Sequence, residues 1–185
     1  MGAYDGTSYP PLYNNTTGNY NSAIGVGALQ ANTTASYNTA VGYQASYTST
    51  TGTRITALGY QAMKGGTGAD GSYSVGVGAY ALQGITSGQS NVAVGDNAAA
   101  SDTTGSNLVA IGASALYSNT TGGSNIGLGV QAGYSNQTGQ LGIYIGHRAG
   151  YYHAAGNSNA TGNIFIGYQA GYGSAGATTG ESNTV

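Results

Sequence analysis

The chain has 185 residues with only three Lys or Arg and five Asp or Glu, a formal net charge of -2, 35 Gly and no Cys. Three cations cannot neutralise a phosphate surface, which argues against nucleic acid as a partner, and without cysteine there is no disulfide framework and no thiolate metal site. Disordered chains share the low apolar content but normally carry high net charge and no strict period, whereas this chain is strictly periodic.

Residues 1–13 stand outside the period and hold both prolines, Pro10 and Pro11, which keep the backbone extended and cannot donate to a sheet ladder. They read as an N-terminal arm or cap. The start lacks the basic and then apolar run of a secretory signal, and no apolar stretch approaches the roughly 20 residues that span a bilayer, so neither classical export nor membrane insertion is expected.

From residue 14 to residue 185 one unit recurs. Its glycine stands at Gly25, Gly42, Gly59, Gly78, Gly95, Gly112, Gly129, Gly146 and Gly167, at intervals of 17, 17, 19, 17, 17, 17, 17 and 21 residues. With this glycine as position 0, position -1 is always aliphatic (Ile24 to Ile166) and position +3 is always Ala (Ala28 to Ala170). A fixed period of this kind is the mark of a solenoid. Each unit runs through a polar turn, commonly Thr-Thr-Gly as at Thr120-Thr121-Gly122, then a strand, the repeat glycine and a second short strand. Glycine at the corners is expected to supply positive φ.

Paired aliphatics at -3 and -1, such as Val92 and Val94, alternate with the period of a strand. They are expected to face inward together with Ala98. A helix competes, because Gly-x-x-Ala-Leu has helical spacing, but the frequent glycines and β-branched residues oppose it. The small residue at -2, such as Ala93 or Gly127, reads as permitting close approach of neighbouring backbones, and its replacement by Tyr144 and Phe165 in the last two full units predicts a change of packing there. The fold class is therefore all-β, a parallel β-solenoid or β-roll of about nine 17-residue coils, with homotrimeric assembly to compensate a thin core.

Stacked coils superpose equivalent residues. Asn21, Asn38, Asn91, Asn125 and Asn163 share -4, where amides can bond from coil to coil. Tyr117, Tyr134, Tyr151 and Tyr172 share +5 and predict a ring ladder, while Tyr43, Tyr60 and Tyr168 share +1. Two stretches break the period, residues 69–72 and 152–160, and such insertions map to surface loops, often on the binding side. Gly180 points to a tenth repeat unfinished at Val185, leaving an open edge that favours end-to-end stacking into filaments as an alternative assembly.

Asn21-Ser22-Ala23-Ile24-Gly25-Val26-Gly27-Ala28-Leu29 and Val109-Ala110-Ile111-Gly112-Ala113-Ser114-Ala115-Leu116 resemble the head repeat of YadA-like trimeric autotransporter adhesins. Ala40-Val41-Gly42-Tyr43-Gln44-Ala45 and Asn119-Thr120-Thr121-Gly122 are closer to repeats of bacteriophage tail fibres and virion adhesins. The resemblance implies a homotrimer of parallel β-rolls in a virion tail fibre or host-attachment segment, with a bacterial surface adhesin head or an extracellular filament as alternatives. A 17-residue unit is somewhat long for the adhesin head, and the missing export signal favours the virion.

Candidate ligand or receptor contacts cluster at the larger insertion: His147, Arg148, Tyr151, Tyr152 and His153. Tyrosine rings suit sugar surfaces, so a host glycan or receptor is one reading of this cluster, beside His147 rings holding a metal on a trimer axis or ordinary surface polarity, and the tyrosine ladders read first as structural packing. The carboxylates Asp5, Asp70, Asp96, Asp102 and Glu181 are scattered, no Ser, His and acid set can be assembled, and glycine runs such as Gly25-Val26-Gly27-Ala28 lack the Lys and helix of a phosphate loop. A non-enzymatic protein without catalytic residues, metal or cofactor is expected.

Overall fold

The computed structural model describes residues 9–66, 70–153 and 160–173. Within them the chain is a parallel β-solenoid. Its strands are three residues each: β1 (Ser22–Ile24), β2 (Thr39–Val41), β3 (Thr56–Leu58), β4 (Val75–Val77), β5 (Val92–Val94), β6 (Val109–Ile111), β7 (Ile126–Leu128), β8 (Ile143–Ile145) and β9 (Ile164–Ile166). They form one sheet in chain order. Every strand pairs with the next at the same repeat position, Ala93 opposite Ala110 and Tyr144 opposite Phe165. At about 4.8 Å per strand the sheet runs roughly 40 Å. The longer intervals do not disturb the register, because Ala57 pairs with Gly76 and Tyr144 with Phe165 across them; residues 67–69 and 154–159, parts of the two insertions, lie outside the described residues.

The strand triplets face the opposite way from the expectation. Ala93 is fully buried, whereas Val92 and Val94 are half-buried on the outer face. The interior admits only a small side chain at -2, because the lumen is filled from the other wall by Ala at +3 and by the residue at +4, which is Leu29, Met63, Leu82 or Leu116 in four coils. Ala98 is buried as expected. The -2 residues therefore allow close approach across the interior of one chain.

The expected second strand is absent among the described residues, and so is the competing helix. After Gly95 the chain makes three successive tight turns, Ala98 N–H to Gly95 O, Ala100 N–H to Asn97 O and Asp102 N–H to Ala99 O. Left-handed residues at +2 and +4, here Asn97 (φ 54) and Ala99 (φ 47), reverse the chain between turns. The same segment still stacks on its neighbours, since Asn97 N–H donates to Ala79 O and Ala99 N–H to Ala115 O, both at 2.9 Å. The backbone is paired from coil to coil outside the sheet as well.

Glycine serves two distinct ends. Gly95 has φ 136, and a Cβ there would lie 2.6 Å from Gly112 O in the next coil. The turn glycine Gly122 is not left-handed; its Cβ would collide with Gly139 O. Close approach, and not positive φ, thus explains the corner glycine, while side-chain-bearing residues supply most left-handed turns.

The -4 amides do bond between coils, and they bond mainly to backbone. Asn91 Nδ2 donates to Gly105 O at 2.8 Å, and its Oδ1 accepts Leu108 N–H at 3.0 Å. Asn38 and Asn125 repeat the pattern. One buried amide satisfies a donor and an acceptor of the following coil that would otherwise be unpaired.

Packing changes at the last two coils, as anticipated, and the change is local. Buried Tyr144 and Phe165 at -2 coincide with Gly150 and Gly171 at +4, where four other coils carry Leu or Met. Lumen volume is conserved by exchanging the large residue from one wall to the other. Gly171→Leu alone should therefore overpack the lumen, and Phe165→Ala alone should leave a cavity costing about 3–5 kcal/mol. The double variant, which reproduces the Ala and Leu of other coils, should recover most of that loss in a thermal-unfolding double-mutant cycle.

Candidate functional site

The insertion cluster divides between surface and interior. Arg148 occupies the left-handed +2 position (φ 56), donates from Nε to Gln131 Oε1 at 2.8 Å, and lies 5.6 Å over the Tyr151 ring. Tyr152 stands perpendicular to Tyr151 and Tyr172, with centroids at 4.6 and 5.3 Å. These groups share one surface. His147 is exposed one column away, its ring stacked on Tyr168 at 5.4 Å. His153 is fully buried, pairing through Nδ1 with the Tyr144 hydroxyl at 2.9 Å and lying against Phe165, so no ligand reaches it from solvent. Its Nε2 has no partner among the described residues.

The +5 ladder forms, with Tyr117, Tyr134, Tyr151 and Tyr172 stacked at 5.2, 4.8 and 5.4 Å between neighbours. The rings cover each other's faces, so the column offers mainly ring edges. At +1, Tyr43 stacks on Tyr60 at 5.4 Å, while Tyr168 stacks on His147. A column missed at the sequence level lies at -5: Tyr20 stacks on Tyr37 at 5.1 Å, and the Arg54 guanidinium sits 5.5 Å from the Tyr37 ring and 5.4 Å from the Tyr73 ring. Aligning the units at -5 would have displayed these four residues together.

Position +7 forms a second overlooked column, inside the lumen: Asn32, Asp102, Asn119, Asn136 and His153 are all buried. Here amides do bond to side chains, Asn32 Nδ2 to Asn15 Oδ1 at 2.7 Å and Asn119 Nδ2 to Asp102 Oδ1 at 2.9 Å. Burial pushes the Asp102 carboxyl up to about 7, against the opposing effect of hydrogen bonds from Asn119 and Gly105. Burial pushes the His153 imidazole down to about 4.

Among the described residues no three His, Asp or Glu side chains converge as a metal site, and no concave pocket is present. No protein-family model, curated protein or solved structure matches the chain.

The two interior groups set opposite pH dependences. Folded Asp102 holds a proton that the unfolded carboxyl releases between about 3.8 and about 7, so its contribution is present at low pH and lost as pH rises through 7. Unfolded His153 takes a proton between about 6.5 and about 4 that the folded ring refuses, so its contribution is present at neutral pH and lost as pH falls through 4. The two largely cancel in the native chain. Asp102→Asn, which installs the residue that Asn119 supplies in the following coil, should expose the His153 dependence, stability rising between pH 4 and 6.5 by on the order of 1 kcal/mol per pH unit. His153→Asn should expose the reverse slope; urea titrations from pH 4 to 7 read both.

Proposed function

We propose that the chain is a rod-forming segment of an adhesive fibre, of the virion tail-fibre kind, assembled as a parallel homotrimer. The observation that carries this reading is the outer face of the sheet. The -1 column from Ile24 to Ile166 is aliphatic in every coil, with Ile24, Leu58, Ile111 and Ile166 exposed by 54, 46, 42 and 58%. The -3 column beside it is aliphatic from Val75 to Ile164. A continuous apolar stripe about 40 Å long and without charge is uncommon on a monomer's surface and marks an interface.

The occupant of that face is two further copies of this chain. A three-fold axis along the rod brings the same -1 side chains together at every level, so one repeated sequence makes a closed, self-complementary interface. A trimeric rod of stacked coils suits a fibre that displays side chains along its length. The resemblance of the Gly-Tyr-Gln-Ala and Asn-Thr-Thr-Gly segments to tail-fibre repeats supports placement in a virion.

Light scattering coupled to size exclusion should give three chains per particle. Val94→Lys and Ile111→Lys, both directed outward, should yield monomers that retain β-sheet circular dichroism. A native monomer, or Lys variants that remain trimeric, would contradict the assembly.

A further inference from the structure

On the +1, +2 and +5 columns of the coils around β2, β3 and β4, three tyrosines and three glutamines converge. Gln61 Nε2 donates to Gln44 Oε1 at 2.9 Å, and Gln83 Nε2 donates to Gln61 Oε1 at 3.0 Å. The amides form a polarised chain across three coils, and among the described residues neither Gln44 Nε2 at one end nor Gln83 Oε1 at the other has a hydrogen-bond partner. Beside it Tyr43 and Tyr60 stack in parallel, and the next ring, Tyr80, is turned by 80° at 5.3 Å. A perpendicular pair leaves Tyr80 at least one face that Tyr60 does not cover, in contrast to the closed +5 ladder. Tyr60 is 47% exposed. Lys64 and Asp96 flank the patch with opposite charges, so it has no net charge.

We infer that this patch binds a neutral oligosaccharide laid along the rod, a reading that rests on the adhesive role proposed above. Each element answers to that chemistry. The half-exposed Tyr80 ring and the exposed Tyr60 ring offer apolar surface to the C–H face of a pyranose, their hydroxyls serve its polar rim, and carboxamides offer both a donor and an acceptor to vicinal hydroxyls. The repeat of the coils matches a repeating polymer, because equivalent contacts recur at about 4.8 Å. A charged ligand would gain nothing from a patch on which Lys64 and Asp96 cancel, and a peptide strand would need free backbone edges, which the coil-to-coil pairing consumes.

Each contact can be removed by importing the residue of another coil: Tyr60→Ala as in Ala79, Tyr80→Asn as in the left-handed Asn97, and Gln83→Ala as in Ala100. Maltohexaose, cellohexaose and chitohexaose are titrated into the full chain by calorimetry, with oligomeric state measured in parallel. At least one sugar should bind with a Kd of about 1 mM or tighter, and each variant should weaken it tenfold or more while unfolding temperature and oligomeric state are unchanged. Thr121→Ala, at an exposed turn of a distant coil, should bind as the native chain does. No binding of any of the three sugars at about 10 mM overturns the proposal, as does binding that survives all three substitutions. A trimer that binds no sugar refutes this site alone; a monomer that binds sugar refutes only the assembly.

Discussion

The structure depends on a steric permission: at the repeat glycine, from Gly25 to Gly146, the backbone of the next coil occupies the space where a Cβ would stand. Gly95 against Gly112 O is one instance of a column that runs from Gly25 to Gly146, and Gly122 against Gly139 O repeats the contact at the turn, where Ala35 and Ala160 replace glycine in two coils. Because the backbones close up there, the intervening turns fall into hydrogen-bonding register although only three residues per coil are strand. The folding energy is thus distributed along a column of main-chain bonds and small packed side chains, each coil needing its neighbours.

Thinness follows from that closeness, and most side-chain choices follow from thinness. In a narrow lumen the -2 and +4 positions face each other, so a large residue at +4 goes with a small one at -2, and Tyr144 and Phe165 require Gly150 and Gly171. Polar lumen residues serve where a turn leaves backbone groups unpaired, as Asn91 does for Gly105 and Leu108. With so little room inside, the aliphatic residues at -3 and -1 lie outside, and the molecule carries an apolar stripe facing outward. Chemistry on such a rod belongs to columns of side chains, so a ligand that repeats along its own axis suits it better than a compact one.

The period, the parallel stacking, the Tyr117 to Tyr172 ladder and the coil-to-coil role of asparagine were legible from the residues alone, because superposition at a fixed interval is a one-dimensional property. Facing was not. Alternation at Val92, Ala93 and Val94 states that two faces differ without stating which is inner, and hydrophobicity pointed to the wrong one; lumen width decided it. The left-handed turns were hidden too, since Asn97, Ala99 and Arg148 carry no glycine signal. At the insertion cluster, proximity in sequence grouped His153 with Arg148, yet a step from +2 to +7 carries the chain from surface to lumen.

The central claim is that the Cβ-free column of repeat glycines licenses the stack, and thermal unfolding of two glycine variants tests it most directly. Gly95→Ala places a methyl group against the Gly112 carbonyl in a left-handed conformation and should lower stability by about 3 kcal/mol or more. Gly123→Ser, at a position where Ser106 stands in the preceding coil and the nearest atom is 3.3 Å from an added Cβ, should change it by less than about 0.5 kcal/mol. Equal effects of the two substitutions, or a native melting temperature for Gly95→Ala, would contradict the account.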